Sequence, residues 1–108
     1  MTKLAASPKN IKRVRNMRAE RPELLGPKFG LLIYASNVPA SAVAQHLDIT
    51  EASLYRWMFG SRDISKDNRP KVLAAGKKLS EAVKQGKLPV FGDLNDRRKA
   101  LLSVLQDC

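Results

Sequence analysis

The chain has almost none of the residues from which catalytic or metal centres are assembled. Its 108 residues include one histidine, His46, and one cysteine, Cys108. A lone cysteine forms no internal disulfide and suits a reducing cytoplasm. With no second histidine, no cysteine pair and no carboxylate cluster, no ligand set for a metal can be named. No serine or cysteine stands at a spacing that gives His46 a nucleophilic partner. Packing or surface exposure is the ordinary role of such a histidine. The segment Gly26 to Gly30 lacks the Lys-Ser/Thr ending of a phosphate-binding loop. No run of about eighteen apolar residues is present to cross a membrane, and the N-terminus has no apolar secretory core. There is no internal repeat or low-complexity tract. These absences point away from an enzyme, a cofactor or a membrane span, and towards a cytoplasmic binding protein.

Negative charge is also scarce. Twenty lysines and arginines face ten acids, leaving a formal charge of +10. From Met1 to Lys28, eight basic side chains oppose only Glu20 and Glu23, a net +6. Between Phe29 and Ile49 the one charge is Asp48. From Thr50 to Lys87, nine basic residues oppose four acidic ones, a net +5, and the remainder is neutral. A polyphosphate rewards that distribution through counterion release. A surface made basic only for solubility is more often mixed in sign.

The length suits one small core, and the pattern predicts an all-α fold. Ser7-Pro8 is a helix start, followed to Glu20 by a narrow apolar stripe of Ile11, Val14 and Met17. Pro22, Gly26 and Pro27 are expected to break that helix. A core helix from Lys28 to Ala35 should bury Phe29, Leu32 and Ile33. After Gly60, Ile64 anchors a loop. Asp67 or Asn68 should then cap a helix burying Val72, Leu73, Leu79 and Val83. An extended link from Leu88 to Gly92 leads to a last helix, Leu94 to Gln106. The expected organisation is a basic arm (1–27), a central helical domain (28–87) and a C-terminal linker and helix (88–108). With so weak a stripe, the arm is expected to be poorly ordered or loosely docked.

The most specific signal is SAVAQHLDITEASLYRWMFG, residues 41–60. Val43, Ala44 and Leu47 give a short helix an apolar face, and Leu54, Trp57 and Met58 give a second helix another. Ile49 is the apolar residue of the turn, Thr50 an N-cap, Gly60 a stop. Small Ala44 lets the two helices cross closely. On these residues the stretch resembles the helix-turn-helix of phage repressors of the Cro and lambda-repressor-like type. Counting from Ala44, the family's positions fall on Leu47, Asp48, Ile49, Leu54, Trp57 and Gly60. Asp48 departs from the pattern, standing where the family usually has glycine; aspartate tolerates a left-handed turn better than most residues.

The resemblance implies sequence-specific recognition of double-stranded DNA, with helix 51–59 in the major groove. By register, Glu51 and Ala52 take the principal base positions, with Tyr55 and Arg56 one turn later. Arg56 could donate two hydrogen bonds to a guanine, Glu51 accept from a cytosine amino group, and Ala52 touch a thymine methyl. Glu51 equally suits a first-turn carboxylate facing the helix dipole, and Tyr55 equally suits packing. Ser41, Gln45, Arg62 and Lys66 are candidates for phosphate, as are Lys12, Arg13, Arg15 and Arg18 on the arm. Two other readings stand beside this one. In one, the arginine-rich IKRVRNMRAER folds in a groove of structured RNA. In the other, a small phage-type protein binds and inhibits a host protein. The C-terminal stretch 88–108, neutral overall and with Leu94, Leu101 and Leu105 on one stripe of its helix, suggests a homodimer holding two recognition helices roughly 34 Å apart. Folding back onto Phe29 and Val72 is the alternative.

Overall fold

In the computed structural model, which describes residues 4–106, the hydroxyl of Ser7 accepts the Asn10 amide at 3.1 Å and opens α1 (Pro8–Glu20). Five further helices follow: α2 (Leu25–Ser36), α3 (Ala40–Leu47), α4 (Glu51–Met58), α5 (Arg69–Lys84) and α6 (Leu94–Gln106). No strand occurs among the described residues. Cys108 lies outside them. The fold is all-α.

The arm is more firmly seated than its sequence suggests. Val14 is completely buried, with Ile11 and Met17 half-buried beside it. Three apolar residues suffice because two glycines let them approach closely. A Cβ at Gly30 would lie 3.1 Å from Val14 Cγ1, and one at Gly60 would lie 2.7 Å from Met17. The expectation of a loosely docked arm is therefore corrected: α1 packs on α2 and its residues enter the common core.

Helix α2 sits centrally, against α1, α4 and α5. It begins at Leu25 rather than Lys28, taking in Gly26 and Pro27, which were expected to belong to the break after the first helix. Proline is tolerated in a first turn, where its missing N–H would have no intrahelical partner. Asn37 ends the helix in the left-handed region, at φ 56° and ψ 30°. Its buried side chain accepts the Ala5 amide at 2.8 Å and donates to the Val90 carbonyl at 2.9 Å. Its own carbonyl accepts from Arg97 Nε at 2.7 Å. One turn residue thus ties together the start of the chain, the extended link and α6.

The core matches expectation over the helix pair. Val43, Ala44, Leu47, Leu54, Trp57 and Met58 are all buried, as are Phe29, Ile33 and Ile64; Leu32 is half-buried. On α5 the reading is corrected. Its buried residues are Val72, Ala75, Leu79 and Ala82, whereas Leu73 is 57% exposed and Val83 half-buried. The observed set follows three- and four-residue steps, and Leu73 lies one residue off that line. Asn68 occupies the N-cap position without a capping bond; its side chain donates to Ser65 Oγ instead.

The last helix folds back. Leu101 and Leu105 are buried in the chain's own core, and Lys78 Nζ donates to the Leu105 carbonyl at 2.8 Å. Two of the three leucines assigned to a dimer stripe, Leu101 and Leu105, therefore serve the single chain, which closes α6 against α5 and α3. Leu94 and Leu102 remain exposed on α6.

Candidate nucleic-acid interface

Asp48 takes the left-handed conformation that the turn requires, with φ 58° and ψ 46°. Its amide donates to the Gln45 carbonyl at 3.1 Å, and the next amide, of Ile49, donates to the Ala44 carbonyl at 3.0 Å. That pair closes α3 as a glycine-ended helix closes, so aspartate substitutes for glycine without opening the turn. Thr50 Oγ1 then accepts the Ser53 amide at 3.0 Å and starts α4. Gly60, at φ 77°, follows the helix's C-cap at Phe59. The turn between the two helices is three residues long, Asp48 to Thr50. It joins two eight-residue helices packed against one another.

With Leu54, Trp57 and Met58 facing inward, α4 presents Glu51, Ala52 and Arg56 to solvent. Glu51 and Tyr55, like Ala52 and Arg56, are four residues apart and lie one above the other. Tyr55 is half-buried and stacks on Phe59, with ring centroids 5.7 Å apart and planes at 26°. The Arg13 guanidinium covers the Phe59 ring at 4.3 Å from its centroid. A cation of α1 is thereby held beside the end of the proposed recognition helix. Sequence reading had Arg13 as one of several equivalent arm cations and did not single out Phe59. The i, i+4 spacing of Tyr55 and Phe59 was the available signal.

Ser41, Glu51 and Tyr55 line one shallow depression of about 250 Å³, together with Tyr34 and Arg97. Arg97, which sequence reading passed over, is brought there across 60 positions by its bond to Asn37. Burial raises the Tyr55 hydroxyl above the usual tyrosine range, and the Glu51 carboxylate raises it further. Burial likewise raises Tyr34, with a smaller contribution from Tyr55. Both phenols are neutral near pH 7 and can donate hydrogen bonds there. The Tyr34 hydroxyl is buried without a protein partner.

The other candidates are dispersed. Gln45 is exposed on α3, beside His46 and Arg98. Arg62 and Lys66 are exposed on the loop after α4. Buried Ile64 pins that loop, as does Arg69, whose guanidinium donates to Asp63 at 3.1 Å. Lys12 and Arg15 are exposed on α1. Arg18 is not gathered with the others: it donates to the Pro22 carbonyl at 3.0 Å and borders a groove between α2 and α5. Among the described residues there is no group of three acidic, histidine or cysteine side chains able to hold a metal ion. No helix among them is long and apolar enough to cross a membrane. Comparison with protein-family models, curated proteins and solved structures finds no match for this chain.

Proposed function

We propose that the chain is a sequence-specific binder of double-stranded DNA, a transcriptional regulator of phage-repressor type that places α4 in the major groove. The observation carrying this reading is the α3–α4 pair itself: a tight left-handed turn, a capped second helix, and Glu51, Ala52 and Arg56 exposed on it. The chain's +10 charge supplies the sequence-independent attraction, and Arg13, held over Phe59 at the C-terminal end of α4, is the arm cation assigned to the flanking phosphates in this reading. The RNA reading required the arginine-rich segment to fold on its target. That segment is already helical and anchored by Val14, which favours DNA. A homodimer remains part of the proposal, but its α6 contacts would fall on Leu94 and Leu102; sedimentation with a two-half-site duplex tests it.

Selection of bound duplexes from a random DNA pool is the direct test, with structured RNA as competitor. Enrichment of a defined sequence that RNA does not displace supports the proposal. Absence of enrichment, or preferential RNA binding, rejects it. On the selected site, Arg56→Ala should weaken binding by about 1–3 kcal/mol and relax preference at one base position. Equal loss on selected and random duplexes would remove Arg56 from base recognition.

Deleting the arm would also delete Val14 from the core, so charge neutralisation is the cleaner probe of α1. Lys12→Ala combined with Arg15→Ala should weaken binding to all duplexes alike. The logarithmic salt dependence should fall by about two, since each phosphate contact contributes roughly 0.9. An unchanged slope in anisotropy titrations would place these cations away from DNA.

A further inference from the structure

A broad apolar concavity lies away from the helix pair. It is a groove of about 620 Å³ between α2 and α5, and no residue of α3 or α4 lines it. Leu25, Leu31, Leu32 and Leu73 supply its accessible apolar surface, and Phe29 and Val72 are buried beneath it. Leu73 is 57% exposed, more than any other large hydrophobic among the described residues. The charged residues along the groove are Arg18, Lys28 and Lys77, and no acid accompanies them.

Gly76 on α5 lines the same groove, within the helix rather than at its end. A helix interior disfavours glycine, and packing does not demand it here. A Cβ at Gly76 would meet Phe29 Cδ1 at 3.7 Å and Leu32 Cδ2 at 3.8 Å, ordinary contacts. What the missing side chain does is leave the groove open.

We infer that the α2–α5 groove is a docking site for an acidic amphipathic helix of a partner protein. The apolar surface is that of a helix-receiving groove, read by residues at i, i+3 or i+4 and i+7. The sign of the rim selects the partner. Three cations without a counter-charge favour a helix whose polar flanks carry aspartate or glutamate. A second copy of this chain is the wrong occupant, because it brings +10 of the same sign, and its α6, with Arg97, Arg98 and Lys99 against Asp96, is itself cationic and is anchored by Leu101 and Leu105 in its own core. This inference does not depend on the DNA reading, since the groove uses none of the residues assigned to base contact.

The test uses the full chain and a fluorescent synthetic helix of about sixteen residues, with leucine at i, i+4, i+7 and i+11 and glutamate between. Two control peptides replace every glutamate by lysine or every leucine by serine. The glutamate peptide should bind saturably, and each control at least about tenfold more weakly. Leu73→Asp and Gly76→Leu should each weaken the glutamate peptide at least about tenfold, while Lys28→Glu with Lys77→Glu should invert the preference towards the lysine peptide. Leu73→Asp alters an exposed side chain, so it tests the groove even if Gly76→Leu proves unstable. Amide shifts on binding should concentrate in α2 and α5. Equal affinity for the acidic and basic peptides, undiminished binding by Leu73→Asp, or no saturable binding would each overturn the inference. So would capture by anionic phosphatidylglycerol vesicles through Leu73 that the peptide fails to displace, since the occupant would then be lipid.

Discussion

Replacing Leu101 and Leu105 together by glutamate should unfold the chain. Both side chains are buried, Leu101 completely, on the face of α6 that closes over the core. Each substitution removes roughly 2–3 kcal/mol of apolar burial, and a carboxyl group at the fully buried Leu101 position adds the cost of its desolvation. Together the losses exceed about 5 kcal/mol, the lower end of what a small domain possesses. Helical circular dichroism at 25 °C should collapse, with no cooperative thermal transition left. A folded monomer with native helicity would instead show that α6 is dispensable to the core and available to a second subunit.

A matched pair of glycine substitutions should shift stability in opposite directions. At Gly26, a Cβ would stand 2.1 Å from the Trp57 carbonyl oxygen and 2.6 Å from its carbon. Those are backbone atoms of α4, so no rotamer change relieves the overlap. The contact between α2 and α4 must open instead, and that contact lies at the centre of the fold. Gly26→Ala should therefore cost on the order of 3–5 kcal/mol, well above an ordinary helical substitution. At Gly76, where a Cβ finds only ordinary contacts, alanine should stabilise by about 0.5–1 kcal/mol through helix propensity. Urea denaturation of the two variants measures both. Similar midpoints for Gly26→Ala and the natural chain would mean that α2 and α4 do not meet this closely.

The α3–α4 pair was the most legible part of the chain because its signals are local. Thr50 caps within three residues, Asp48 bends within its own turn, and the Leu54–Trp57–Met58 face follows from helical spacing. Errors arose where a local signal competed with a distant partner. Gly26 and Pro27 read as part of the break before α2, yet Gly26 is where the Trp57 backbone packs and Pro27 fits a first turn. Leu73 read as core because it is a leucine beside Val72, but α2 meets α5 along the line of Val72, Ala75 and Leu79. At the candidate interface, the exposed face of α4 was legible from periodicity. Arg13 over Phe59, and Arg97 in the same depression as Glu51, were not.

By itself the sequence determined the helical class, the helix starts at Ser7 and Thr50, the left-handed turn at Asp48 and the strongly positive charge. These follow from backbone preferences and composition, which act over a few residues or over none. Only the tertiary structure decided that α1 belongs to the core, that α6 closes on its own chain, and that Asn37 links three separate segments. It also decided which apolar side chains would be left exposed beside Arg18, Lys28 and Lys77. An apolar stripe on a helix specifies that it must be covered, but not by what; the choice of partner depends on which surfaces can approach closely. Here Gly26, Gly30 and Gly60 set that approach through contacts remote in sequence.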